Sequence, residues 1–344
     1  MTIRFYTSQD KKAWDAYVMR SNDARCYHLS GWKDVIEQSF GHTTWYLLSE
    51  GERGEINGIL PLVQLKSQLF GNFAVSLPYF NYGGLCADST EIGDHLADGA
   101  IKWAKENGAE HIELRQNNPM DIGWQVKMSK VSMFLPLRPT PEELWKSFPS
   151  KLRSQVQKPV KEGMYTRLGR EERLDDFYAV FSVNMRDLGT PVYSKEFFRS
   201  ILRAFPASSW ICTVFTNDGQ PVAAGFLVGF KDTLEIPWAS SLRRYNHQSP
   251  NMLLYWSVLS AGCEKGYASF DFGRSTPGEG TFRFKEQWGA KPRQLYWHYW
   301  IKNGLELPEL NPRNPKYRLA INIWKRLPVG VTKLIGPSIV KNLP

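Results

Sequence analysis

Three side chains in the stretch 268–292, ASFDFGRSTPGEGTFRFKEQWGAKP, have the types and spacing to do chemistry. Asp271 and Arg274 flank a Phe-Gly pair, and Lys285 follows a Pro/Gly-rich loop. All three are polar groups set among aromatic residues. A carboxylate and two cations gathered in apolar surroundings shift one another's proton affinity and can grip an anion or orient an amine. The same groups could equally form an internal salt bridge that only braces a connection. The alternating run 269–272, followed by glycine, predicts a strand that ends at a tight turn, and 282–285 predicts a second strand. If those two pair, Asp271 and Lys285 converge.

A second set is basic. Residues 145–162 read WKSFPSKLRSQVQKPVKE, with Lys146, Lys151, Arg153, Lys158 and Lys161 ahead of the first acid, Glu162. This predicts a basic helix whose charged side is either simply solvated or built for phosphate. Thr140 as cap and Pro141 in the first turn predict a helix start just upstream. His28 opens a predicted helix over 28–40, as either a ligand contact or a structural histidine. Cys26, Cys86, Cys212 and Cys263 lie far apart with no CxxC or Cys/His cluster, so no metal site is expected.

The elements that must position these groups form a pattern that occurs twice. Strands are predicted at 43–49, 58–66 and 74–77, then a helix over 94–107 and a strand over 111–115. The order returns with strands at 210–215, 222–230 and 234–240, a helix over 251–265 and a strand over 269–272. Two copies of one α/β module are therefore expected. Tyr79, Asn81 and Tyr82 fall where the first module's central strand ends, and 268–292 falls at the matching end of the second.

The chain has 344 residues, 42% hydrophobic and 22% charged, which suits two globular domains and excludes a disordered protein. Its net charge of +9 permits anionic partners such as phosphate esters, nucleic acid or acidic lipid. No helix-turn-helix, zinc-finger or RNP-type motif points to a nucleic-acid regulator. There is no secretory h-region and no membrane-length apolar run, so a cytoplasmic location is expected. Residues 301–344 hold eight Lys/Arg against two Glu. Within them, 317–344 reads as short pieces broken at Pro328 and Pro337. These either lie on the inner membrane as a basic amphipathic element or pack back on the body.

Several stretches carry a family resemblance: PSKLRSQVQKPVKEG (149–163), NMRDLGTPVYSKEFF (184–198), DFGRS (271–275), FRFKEQWGA (282–290) and the closing WKRLPVGVTKLIGPSIVKNLP. With the duplicated module, the chain resembles FemAB-like and BioF2-like acyltransferases of the GNAT superfamily. More narrowly, it resembles FemAB-family proteins associated with PEP-CTERM/exosortase and exopolysaccharide systems. The resemblance implies an α/β fold of two tandem GNAT-like domains, with mixed central sheets flanked by helices. The expected boundaries are 1–138, then 139–300 with the basic helix 145–162, then a tail over 301–344. It implies acyl or aminoacyl transfer to an amine on a cell-envelope or exopolysaccharide-related precursor, with no permanently bound cofactor.

One stretch departs from the family. The Gln/Arg-x-x-Gly-x-Gly/Ala loop that holds a CoA pyrophosphate is replaced by LRRYNHQSPNM (242–252), which has no glycine. Acyl-CoA and aminoacyl-tRNA both stay open as donor. Within the implied chemistry, Asp271 is the first candidate base or amine-orienting group, and Glu235 the second or else a plain strand residue. Lys285 and Arg274 would bind a phosphate or carboxylate of the acceptor, or stabilise developing negative charge. Lys151, Arg153 and Lys158 would hold acceptor phosphates or a tRNA backbone. Trp238 and Tyr255 would stack on a sugar, line an acyl channel or pack in the core. Tyr79, Asn81 and Tyr82 would bind acceptor. The competing expectation is a non-catalytic scaffold that docks an anionic glycan or lipid-linked precursor.

Overall fold

The computed structural model describes the chain except Leu69, Gly304, Leu307–Asn314 and Pro344, and the side chains of 315–317. It divides into two compact units. The first comprises Met1–Val131, Arg293–Glu309 and Lys341–Pro344, and the second Ser132–Pro292 and Leu310–Val340.

The first unit begins with β1 (Thr2–Phe5), α1 (Lys11–Arg20) and α2 (Gly31–Phe40). The strands β2 (Thr43–Thr44), β3 (Leu47–Glu50), β4 (Ile56–Leu60), β5 (Val63–Ser67), β6 (Gly71–Val75) and β7 (Cys86–Ala87) follow. Helix α3 (Thr90–Glu106), β8 (His111–Gln116) and β9 (Gln125–Lys127) complete this stretch. Ser89 caps α3 by accepting the Ile92 N–H, and Leu96, Ala97, Ala100, Trp103 and Ala104 form its buried face. That face packs on Leu60, Ala74, Ile112 and Leu114.

The second unit contains β10 (Val131–Pro136), α4 (Pro141–Ser147), α5 (Ser150–Lys161), β11 (Tyr165–Gly169), α6 (Leu174–Leu188) and α7 (Lys195–Ala204). Next come β12 (Ser209–Phe215), β13 (Pro221–Phe230), β14 (Thr233–Ser241), α8 (Pro250–Glu264), β15 (Ser269–Ser275), α9 (Gly280–Glu286) and β16 (Lys291–Gln294). Its sheet runs β11-β12-β13-β14-β15-β10-β16. The chain ends in β17 (Tyr296–Ile301), α10 (Pro315–Trp324) and α11 (Val329–Val340).

The duplicated order is present in both units, and each has a central parallel pair of short register, which in the second unit forks. In the second unit β14 and β15 pair only at Thr233–Glu235 against Ser269–Asp271, although both strands continue. In the first unit β6 and β8 pair at Ala74–Ile112 and Val75–Glu113. In the second unit both strands run on past the last register pair, whereas in the first β6 ends at Val75 and the chain beyond it stays bonded to β8, with Ser76 N–H on the Glu113 carbonyl (2.8 Å) and Gly84 N–H on the Arg115 carbonyl (3.1 Å).

Four expectations are corrected. The aromatic run at 282–285 is helix α9, not a strand. Phe284, Lys285 and Trp288 turn inward at helical spacing, which a four-residue Phe-x-Phe alternation cannot distinguish from a strand. The basic helix 145–162 is two helices, because Phe148 and Pro149 are extended between them. Pro337 does not end a segment; α11 runs through it. The units also divide differently from 1–138 and 139–300. The first ends at Val131, and β17 returns to it as an interior strand, between β8 and β9 in the order β2-β5-β6-β8-β17-β9. Part of the expected tail, Leu307–Asn314, lies outside the described residues.

Candidate active site

Strand β15 alternates sides. Phe270 and Phe272 pack ring to ring, and Phe272 stacks on Tyr255 of α8, with centroids 5.4 Å apart. Asp271 therefore faces away from α8. Its register partner at the fork is Glu235, and both carboxylates are buried. Asp271 Oδ1 accepts from the Ser132 hydroxyl (2.7 Å) and from the Gly273 N–H (2.8 Å). Gly273 has φ +76°, a left-handed conformation that a side chain would strain. This local twist in the strand brings its own N–H back to Asp271.

The twist also turns two carbonyls toward α9. Lys285 Nζ donates to the oxygens of Gly273 (2.8 Å) and Arg274 (2.9 Å). Two of its three ammonium donors are thus fixed by backbone, and no other described protein group takes the third. Burial pushes the Lys285 pKa down to about 8. Asp271 and Glu235 pull it back up, and Arg274 adds to the lowering. The desolvation cost of the charged form outweighs the attraction of the carboxylates. The site thus holds an anchored ammonium that can give up its proton within a unit or so of neutrality.

Arg274 alternates outward and is exposed. The structure therefore gathers Asp271, Glu235, Lys285 and Arg274, though through a strand and a helix instead of a hairpin. The hydrogen bonds of Lys285 run to backbone carbonyls, and Asp271 acts on it as a nearby charge.

The remaining candidates are placed elsewhere. Between the pairs Phe226–Trp238 and Val228–Glu235, β14 uses one more residue than β13. This bulge, at Ile236-Pro237, brings Trp238 to the same side of the sheet as Glu235. There Trp238 packs edge-on against Phe197, Phe198 and Phe226, as a core residue. Tyr255 lies between Phe272 and Phe284, also in the core. Helix α5 buries Leu152, Val156 and Pro159 and leaves Lys151 and Lys158 exposed. Lys158 donates to the His247 carbonyl, which ties α5 to the loop ahead of α8. Arg153 is half-buried on the same helix. The start of α5 shares a cavity of about 480 Å³ with the end of α9, lined by Arg138, Ser147, Phe148, Pro149, Gln287 and Trp288.

In the first unit, Tyr79 sits at φ +75°, and its hydroxyl donates to the Lys341 carbonyl (2.7 Å) beside His42. Tyr82 is buried and stacked toward Tyr27, while Asn81 is half-buried. His28 is fully buried, its Nε2 2.9 Å from the Gly84 carbonyl, in a structural role.

The start of α8 bears on the donor. Residues 243–248 form a 3₁₀ turn, Ser249 is left-handed at φ +59°, and Pro250 begins the helix. Pro250 has no N–H, and the Met252 N–H is spent on the Ser249 carbonyl (3.0 Å). Few backbone donors are left here to cradle a pyrophosphate.

Sequence reasoning missed Ser132 and the buried Glu113–Arg115 pair. Nothing in VSMFLP marks Ser132. The two opposite charges in HIELRQ were a visible signal, since a buried strand carries charge only when it is paired.

Residues 146–286 match the family model of the acetyltransferase (GNAT) domain. No curated protein matches the chain. Among solved structures it is similar to FemX, at 16% identity over 93% of this chain and 100% of that one, with TM-score 0.66. It is similar to the C-terminal domain of a putative lysylphosphatidylglycerol synthetase from Agrobacterium fabrum (14% identity, 86% and 92% coverage, TM-score 0.57). It also resembles a tandem GNAT protein from the clavulanic acid biosynthesis pathway (11% identity, 89% and 100% coverage, TM-score 0.56). At these identities the likeness is one of fold, and the fold is two tandem GNAT-like domains.

Proposed function

We propose that the chain is an N-acyltransferase, that its second unit carries the chemistry at the β14/β15 fork, and that Lys285 is its central group. The observation that carries this reading is the Lys285 ammonium, buried, held by two backbone carbonyls and left with one donor beside two carboxylates. Acyl transfer to an amine builds negative charge on the acyl oxygen as the nitrogen attacks. A pre-positioned cation in a site of low dielectric lowers the energy of that charge without reorganising. The attacking nitrogen must be neutral and must lose a proton as the amide forms. In this reading Asp271, held by Ser132 and the Gly273 N–H, orients the amine, and Glu235 lies across the fork to take up its proton as the acyl–donor bond breaks and to return one to the departing CoA thiolate or tRNA 3′-oxygen. Arg274, exposed at the rim, and Lys151, Arg153 and Lys158 on α5 attract an anionic acceptor.

The acceptor in this reading is an amine on a phosphate- or glycan-bearing precursor of the cell envelope or exopolysaccharide, in a PEP-CTERM/exosortase setting. The poor pyrophosphate cradle at the start of α8 favours aminoacyl-tRNA over acyl-CoA as donor.

The test is transfer in vitro. The full chain is incubated with acetyl-CoA or with a mixed aminoacyl-tRNA pool, together with amine-bearing nucleotide- and lipid-linked glycans. Products are read by mass spectrometry. A mass increment that the Asp271→Asn variant fails to produce is the expected result. Undiminished transfer by Asp271→Asn removes Asp271 from the mechanism. Acceptor binding with no transfer from any donor leaves the non-catalytic scaffold as the reading.

A further inference from the structure

We propose that the C-terminal helix pair α10–α11 is a docking surface for an anionic phospholipid bilayer. The inward side of both helices is committed to the second unit. Helix α11 buries Thr332, Gly336 and Val340, a single stripe at i, i+4 and i+8. It approaches so closely that a Cβ on Gly336 would lie 2.9 Å from the Val192 backbone nitrogen. Helix α10 buries Trp324 and sets Ile321 over Gly189, where a Cβ would meet it at 2.5 Å. Arg186 Nη1 donates to the Leu327 carbonyl between the two helices. Both helices thus seat on the short stretch 186–192, and their other sides face outward.

Those outward sides are apolar. Leu334 is 80% exposed and Leu319 64%, with Ile323, Val331 and Ile335 also exposed. Leu319 and Ile323 are one turn apart on α10, and Val331 and Ile335 one turn apart on α11, next to Leu334. Single exposed leucines are ordinary, but five large aliphatics within seventeen residues, on helices firmly held from behind, form a patch that needs a cover.

Charge selects the cover. Residues 310–344 contain seven Lys/Arg and no acid. Arg326, exposed, sits in the turn that follows α10 and precedes α11, beside Lys325, which lays its stem over Gly189 next to Ile321 and is exposed beyond it. An apolar helix face on a segment that carries seven Lys/Arg and no acid of its own matches an acidic lipid surface, with aliphatics entering the acyl boundary and the outward cations resting on the phosphates. Among the described residues no helix is long and apolar enough to cross a membrane, so the geometry is that of a helix pair lying on the surface. A second copy of this chain would bring the same excess of positive charge to the contact and is disfavoured by repulsion.

The proposal does not depend on the transferase reading, and its test does not use activity. The full chain is sedimented with vesicles of phosphatidylcholine alone or of phosphatidylcholine mixed with phosphatidylglycerol, over a salt series. Binding is expected to the anionic vesicles and to weaken with salt. Lys325→Ala with Arg326→Ala should weaken it roughly 25-fold, at about five-fold per cation near the surface. Ile323→Asp with Leu334→Asp should weaken it about ten-fold or more. Circular dichroism checks that the variants fold. If the aspartate pair does not fold, the alanine pair and the salt series decide. Absent binding, equal binding to neutral vesicles, or variants that bind as the parent does would overturn the proposal. So would a concentration-dependent dimer that Leu334→Asp dissociates, since the cover would then be a second copy.

Discussion

The two units end their central parallel pair at a buried carboxylate and surround it in opposite ways. In the first, Glu113 holds the place that Asp271 holds in the second, as the last residue of the parallel pairing. Two residues on, the first unit has Arg115, which bonds Glu113 Oε1 at 2.7 Å and the Phe80 carbonyl at 2.5 Å and lies under Trp297 at 4.5 Å. Its guanidinium is buried and its donors are turned to its own unit. The second unit has Gly273 at that position, and its cation comes from a separate helix, with one N–H left to give. One backbone plan thus yields a carboxylate braced from within its own strand and one beside a cation brought in by a separate helix.

The sharpest way to break this comparison is to remove each cation in turn. Lys285→Met should reduce transfer by about 100-fold or more, the cost of losing a pre-positioned charge at a developing oxyanion, with near-normal circular dichroism. Retained transfer would make Lys285 a structural brace like Arg115. Arg115→Met should act on the fold instead. It leaves Glu113 buried without its guanidinium, at a cost of about 3–5 kcal/mol in denaturant unfolding, with little change in transfer per folded molecule. Loss of transfer at unchanged stability would mean that the first unit works on substrate too.

The smallest effect is a pH slope. The Lys285 pKa is lowered from 10.5 to about 8 in the folded state. Between those values the unfolded chain binds the proton and the folded chain does not. Stability should therefore rise as pH is raised through this window, by about 1–3 kcal/mol at most, and level off above it. Chemical denaturation at either end of the window should show this gain in the parent protein and a reduced gain in Lys285→Met. Equal slopes would mean that Lys285 is better solvated than its burial implies.

Much of the fold was legible because it is local. Pro141 at a helix start after Thr140 and the apolar stripe of α3 each follow from a few neighbouring residues, while the start of α3 at Thr90, capped by Ser89, lies four residues ahead of the expected 94. The errors arose where two periods compete over a short run, as at 282–285, or where one proline has two outcomes. Pro149 separates two helices, while Pro337 is carried inside one. Of the candidate site, Asp271, Arg274 and Lys285 stood out as polar residues in aromatic company. Trp238 and Tyr255 drew notice for the same reason, but aromatic types do not reveal which rings are walled in by other rings. Only the bulge at Ile236-Pro237 settles that Trp238 joins Phe197 and Phe198.

The sequence by itself determined the doubled α/β order, the amphipathic basic helix α5 and the apolar and basic tail. These are properties of composition and period, which act over a turn or a few strand residues. Tertiary structure alone decided that β17 completes the first unit's sheet, that the tail helices keep an apolar side outward, and that the second unit's fork keeps a donor. Strand order and fork contents depend on contacts between residues far apart in the chain, such as Ser132 with Asp271, that no local pattern encodes. The stretch 268–292 announced its polar groups. The left-handed turn at Gly273, read against a helix ten residues on, made them a site.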